Sequence, residues 1–371
     1  MSISDDAALI VAGTYFHDYS GYGGPIPFAV YAFKSSGATP IWTWPLDTTS
    51  EGAYWVACSG DGTHAVAGGK LVTDTVNAGF IQAYDLRTGA VALDYRLATT
   101  DRINKVAITA SGSVVVACAS SGLYVAVLEG DAYTTPALIP VGHSLQSVAI
   151  SGDGKWVAAG SYDGAVLLFQ QEGGTLTPAG TWTAPANADI RCVTMTADGL
   201  WFAVSGGSQS TGGLFSLFRT DEFASTQAPV WSQESKGAVY FVALANPSPQ
   251  TPVVAAVSNV PWGEAPAGST STMGGVRVVY SDPNRTAHTL MEFNTLQAPN
   301  SASMDAKAQY LAIADGFGEA SDGHFYLLDL DRQACRWVYE TAKMSWPIAI
   351  AAEATGVAAG SDDSNLYFFK P

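Results

Sequence analysis

Five histidines, His17, His64, His143, His288 and His324, are the first residues of this chain with a chemistry to offer. An imidazole ligates metals or moves protons near neutral pH. His17, Asp18, His143 and His324 have the donor types of a metal site for hydrolysis or elimination, but no ligand motif connects them. His64 lies inside an apolar stretch and reads as packing. The four cysteines, Cys58, Cys118, Cys192 and Cys335, are far apart and read as small buried thiols rather than zinc ligands. No G-x-S-x-G elbow, P-loop or H-E-x-x-H is present. No metal and no cofactor are expected, and no catalytic residue can be named. Arg191 and Lys105 have the charge to hold an anion, against a formal net charge of −16.

The elements that must position these groups are set by repetition. "VACSGDGTHAVAGG" from Val56, "VAITASGSVVVACA" from Val106 and "VAISGDGKWVAAGS" from Val148 superpose without gaps. "VTMTADGLWFAVSG" from Val193 and "IAIAAEATGVAAGS" from Ile348 keep the same register, and looser copies bring the count to eight. A small residue closes the second strand of most copies, at Gly13, Gly68, Cys118, Gly160, Ser205, Ala314 and Gly360, with Val257 at the equivalent place. Each copy reads as four short strands joined by Gly/Asp/Ser turns, as in "GSYDGAVLLFQ" at 160–170. Four antiparallel strands repeated radially predict a single all-β domain over residues 1–371, a β-propeller of eight four-stranded blades. The first copy has only Met1–Ser4 for its inner strand, and the last ends at "NLYFFKP" without an outer one. Seven blades with a surplus N-terminal hairpin is the alternative. The "SGDG" turns lack the ligand spacing of a calcium loop.

Residues 141–170, "VGHSLQSVAISGDGKWVAAGSYDGAVLLFQ", resemble a WD40 repeat, with Gly142-His143 before the inner strand and Asp163-Gly164 in the later turn. Phe169 stands where that family has its usual Trp-Asp. "AYDLRTGAVALDY" (83–95) and "LLDLDRQACRWVY" (327–339) are similar to quinoprotein (PQQ-type) propeller repeats, as is "AFKSSGATPIWTW" (32–44) more loosely. Trp42 and Trp337 sit near the tryptophan that locks blades together in those relatives. The resemblance implies a fold and not a chemistry. The adjacent cysteine pair of the quinone-dependent dehydrogenases is missing. His143 falls where WD40 repeats carry a structural histidine.

Two residues before the first core position of each complete inner strand stand Tyr54, Asn104, Gln146, Arg191, Tyr240, Asn300 and Trp346. In a propeller these positions gather at one mouth of the central channel, where amide, guanidinium and aromatic groups suit a polar ligand. Loops between second and third strands emerge on the same face. Copy one inserts "TYFHDYSGYGGPI" (14–26), bringing Tyr15, Phe16, His17, Asp18, Tyr19 and Tyr22. Copy six inserts 258–275 with Trp262, and copy seven inserts 315–324. The second and fifth copies have intermediate loops, "KLVTDTVNAG" and "GGSQSTGG".

The acidic surface disfavours nucleic acid and anionic lipid, and no run approaches the roughly 18 apolar residues of a membrane span. The expectation is a non-catalytic binding or scaffold propeller that recognises a protein or carbohydrate partner through the aromatic loop face. The alternative is an enzyme, a metal-assisted hydrolase or lyase or an oxidoreductase, with its site at the channel mouth. Low Lys and Arg content favours a secreted or periplasmic setting slightly over the cytoplasm, although isolated cysteines point the other way.

Overall fold

The computed structural model describes residues 1–16, 28–208, 212–262, 273–318 and 322–371. Eight antiparallel sheets stand around a central axis, each led by an inner strand. These inner strands are Ser2–Ile3, Ser50–Cys58, Ile103–Ile108, Leu145–Ile150, Ile190–Met195, Val239–Ala245, Pro299–Met304 and Ser345–Ile350. The protein is therefore an all-β, eight-bladed propeller. Blade one does take its inner strand from the first residues, and blade eight stops at its third strand, Leu366–Phe369.

Turn chemistry builds the first hairpin of nearly every blade. In 59–62, 151–154 and 196–199 the first residue's backbone carbonyl accepts the N–H of the fourth. Its hydroxyl also bonds the turn aspartate, as Ser59 Oγ does to Asp61 Oδ1 at 2.7 Å. The fourth residue has positive φ at Gly62, Gly112, Gly154 and Gly199, which explains the recurrent glycine. Ala7, Ala308 and Ala354 occupy the same place with φ of 60°, 53° and 57°. Only backbone geometry is being conserved across these copies.

The small residue ending the second strand answers to packing between blades. A Cβ on Gly160 would lie 2.4 Å from Ile190 Cγ2 of the next blade, and one on Gly68 would lie 2.5 Å from Ile103 Cγ2. Inner strands thus seat directly on the preceding sheet. Neighbouring blades bury one another through apolar clusters that each span two blades, such as Val114, Val148, Leu167 and Phe169.

Ring closure uses the contacts found elsewhere in the ring. Backbone bonds link successive first turns, Asp5 N–H to Gly60, Asp61 N–H to Ala110, Ala110 N–H to Gly152 and Gly152 N–H to Ala197. Glu353 N–H donates to Asp5 at 3.1 Å and joins blade eight to blade one in the same way. Ile3, Ile10, Ala351 and Ala358 fill the space behind that bond. In blade one, Trp42 Nε1 donates to Leu86 O at 2.9 Å and Trp44 Nε1 to Gly89 O at 3.0 Å, locking it onto blade two.

Three local features depart from the sequence reading. The extended connections of copies two and five are mostly longer hairpins: strands run through His64–Val72 and Asn77–Asp85, and through Trp201–Ser208 and Gly212–Arg219. His324 belongs to the strand Gly323–Asp329 and not to a loop, because buried Asp315 on the paired strand fixes its ring. A helix, Thr220–Thr226, replaces a simple turn in blade five and buries Phe223 against Phe202 and Phe218. Its seven residues carry too little periodicity to be read in advance.

Candidate functional site at the channel mouth

All seven positions singled out at the inner-strand starts share one backbone feature. In blade two Ala53 pairs with Gly69 and Trp55 with Gly68, so Tyr54 is an extra residue in the ladder. Asn104, Gln146, Arg191, Tyr240 and Asn300 are skipped in the same manner, and Trp346 lies with Pro347 in the skip of blade eight. A bulge leaves its residue unpaired and re-aims its side chain. The repeat thereby supplies seven irregular positions around one mouth.

The seven side chains do different work. Asn104 Nδ2 donates to Leu145 O at 2.8 Å, and Asn300 Nδ2 to Ser345 O at 3.0 Å, each tying its blade to the next inner strand. Arg191 pairs with Asp189 at 2.9 Å, donates through Nε to Gly207 O, and stands 5.1 Å from the Tyr240 ring centroid. Gln146 carries a buried amide oxygen without a hydrogen-bond partner among the described residues. Tyr54 and Trp346 are the open ones, 41% and 48% exposed.

A second group, not singled out from sequence, completes this face. The Arg102 guanidinium lies 4.1 Å from the Tyr54 ring centroid and donates to Tyr15 Oη at 3.0 Å and Asn104 Oδ1 at 3.3 Å. Tyr15 in turn donates to Glu51 Oε2 at 3.1 Å and sets its ring edge against Tyr54. Burial pushes the Tyr15 phenol up to about 12, so it stays a neutral donor. Tyr162 and Phe317, in the second-to-third-strand connections of blades four and seven, are 43% and 56% exposed. Tyr162 feels the charges of both Arg102 and Arg191, and burial raises its pKa. Arg102 stands two residues before Asn104, and Tyr162 lies within "GSYDG". An arginine before a bulge and a tyrosine in a tight turn carry no spacing signal.

The loop candidates divide. Tyr15 and Phe16 form a short strand against Gly52 and Glu51 of blade two. Trp262 packs edge-on to Phe215 at 5.5 Å under Arg277, part-buried between blades five and six. His17, Asp18, Tyr19 and Tyr22 lie outside the described residues. His143 and His324 are engaged separately, His143 Nδ1 with Asp163 at 2.8 Å in blade four and His324 Nδ1 with Asp315 at 2.9 Å in blade seven. Among the described residues no three His, Cys, Asp or Glu side chains converge as a metal site.

Below the mouth the channel is crossed by Trp55 and Phe241, stacked from opposite blades. Lys105 Nζ sits 5.1 Å from the Trp55 ring centroid.

These features define an eight-bladed propeller with a packed ring, a Trp55–Phe241 stack across its channel and an aromatic, partly cationic mouth. Residues 135–170 match the family described as "WD domain, G-beta repeat", and the whole chain has a WD40-like β-propeller fold. It is similar to the β-propeller domain of Myceliophteria thermophila Cps50 (Swd1), with TM-score 0.60, 12% identity, 86% of this chain and 97% of that chain covered. Chaetomium thermophilum Sqt1, solved bound to the N-terminus of the ribosomal protein L10, gives TM-score 0.66, 15% identity, and coverage of 86% and 84%. Kuenenia stuttgartiensis hydrazine synthase gives 0.61, 14%, and coverage of 86% and 95%. At such identities the likeness is one of fold. No curated protein matches in sequence.

Proposed function

We propose that this chain is a non-catalytic recognition propeller that takes a protein partner on the face where its inner strands begin. The carrying observation is the exposed aromatic set Tyr54, Tyr162, Phe317 and Trp346 on that face, with Arg102 held against Tyr54. Aromatic and arginine side chains on a rigid frame are the usual anchors of protein interfaces. Arg102 and Tyr54 lose little conformational entropy on binding because the Arg102–Tyr15–Glu51 bonds already hold the guanidinium over the Tyr54 ring. The peptide complex of Sqt1 supports a protein segment as the ligand class over a carbohydrate.

The test compares wild type with the double variant Tyr54→Ala/Trp346→Ala as baits in native lysate, beside a glycan array. Partner proteins held by the wild type and lost by the variant at an unchanged Tm are the expected result. Equal capture by both baits, or glycan binding without protein capture, overturns the proposal.

A further inference from the structure

We infer that the channel beyond the Trp55–Phe241 stack is a binding site for a compact oxyanion, a small carboxylate or phosphate, centred on Lys105. Lys105 enters the channel from blade three, one residue after the Asn104 bulge. Its Nζ donates to Val193 O of blade five at 2.8 Å and to Ser147 Oγ of blade four at 3.2 Å. An ammonium has three N–H donors, so one has no oxygen acceptor among the described residues, with only the Trp55 ring beside it at 5.1 Å. Among the described residues no carboxylate lies within ion-pair distance of it, although the chain has 33 acidic residues.

Beside Lys105 opens a cavity of about 140 Å³ walled by Thr194, Phe241, Ser303 and Met304. Thr194, Ser303 and Met304 stand three or four residues past their bulges, whereas Trp55 and Phe241 stand one past theirs, so the cavity opens from the stack toward the far ends of the inner strands, away from the mouth. The Thr194 hydroxyl makes no hydrogen bond within the described residues. Ser303 Oγ accepts from Ile350 N–H at 3.1 Å, which leaves its own proton free to donate. One cationic and two hydroxyl donors thus border a single space that supplies no anion of its own. A part-buried charge without a counter-charge is unfavourable, and a bound oxyanion relieves that cost with charge-assisted hydrogen bonds. The −16 total opposes this only weakly, because exposed charges farther away than about 8 Å are largely screened at physiological ionic strength.

The site is read by titrating the whole chain with sodium phosphate and, separately, sodium acetate in a calorimeter at constant ionic strength. Saturable binding of either ion at one site per chain is expected. Lys105→Met keeps an unbranched side chain but removes the ammonium and should weaken the binding at least tenfold. The gentler Thr194→Val/Ser303→Ala pair keeps the ammonium and should weaken it severalfold, so the proposal stays testable if Lys105→Met fails to fold. Tyr54→Ala/Trp346→Ala, on the other side of the stack, should bind as wild type does, which separates this site from the partner-binding face. Absence of saturable heat with both ions, or unchanged affinity in the Lys105 and hydroxyl variants, overturns the inference.

Discussion

The indole of Trp55 and the phenyl ring of Phe241 meet across the axis, with centroids 5.9 Å apart and planes 7° from parallel. Their strands belong to blades two and six, half a turn apart in an eight-membered ring. A single aromatic pair therefore spans the channel between groups of different character. The mouth side presents Tyr54, Trp346 and arginines paired with carboxylates, whereas the far side presents the Lys105 ammonium, with no carboxylate within ion-pair distance among the described residues, and hydroxyls.

Gly160→Ala tests the seating of one blade on the next. The added methyl carbon meets Ile190 Cγ2 at 2.4 Å and Cβ at 2.9 Å, so the inner strand of blade five itself must shift. Overpacking of this sort costs about 1–3 kcal/mol. Denaturant unfolding should show a lower midpoint, and a midpoint equal to wild type would mean that the blades are not closely seated there.

Ala354→Gly should have the opposite sign. Ala354 holds φ of 57°, in the left-handed region where a Cβ crowds the carbonyl. Glycine removes that strain at some cost in unfolded-chain entropy, for a net gain of about 0.5–1 kcal/mol. A rise in the chemical-denaturation midpoint checks this. A fall would show that the turn does not hold the left-handed conformation.

His324 should give the protein a pH-dependent increment of stability. Hydrogen bonding to Asp315 raises its pKa above the ordinary histidine value, outweighing the opposing effect of burial. The folded state thus binds the proton more tightly than the unfolded chain. The increment is complete below about pH 6.5, the unfolded value, and is lost as pH rises through the folded pKa. His64 is shifted the other way by burial, so the comparison must be with a variant rather than with total stability. The stability difference between wild type and His324→Gln, measured from pH 5.5 to 8.5, should shrink as pH rises. A difference that grows would contradict the Asp315–His324 pairing.

Much of the architecture was written in local chemistry. The Ser/Thr-x-Asp-Gly turns, the apolar alternation and the small residue on the second strand recur because every blade needs the same hairpin and seat, which yields the count of eight, the short inner strand of blade one and the missing outer strand of blade eight. The inner-strand starts were legible for the same reason, since a bulge repeated blade after blade leaves a repeated position. What those seven side chains do was not legible. Asn104 and Asn300 look like ligand groups in sequence and are spent on neighbouring strands, while Arg102 and Tyr162 had no pattern and stand at the mouth. Only ring closure settles such roles, because the partners come from blades four or more strands away in the chain and meet through curvature alone. Trp55 and Phe241 are the extreme case: their separation in sequence is large, and the axis is the one place where they touch.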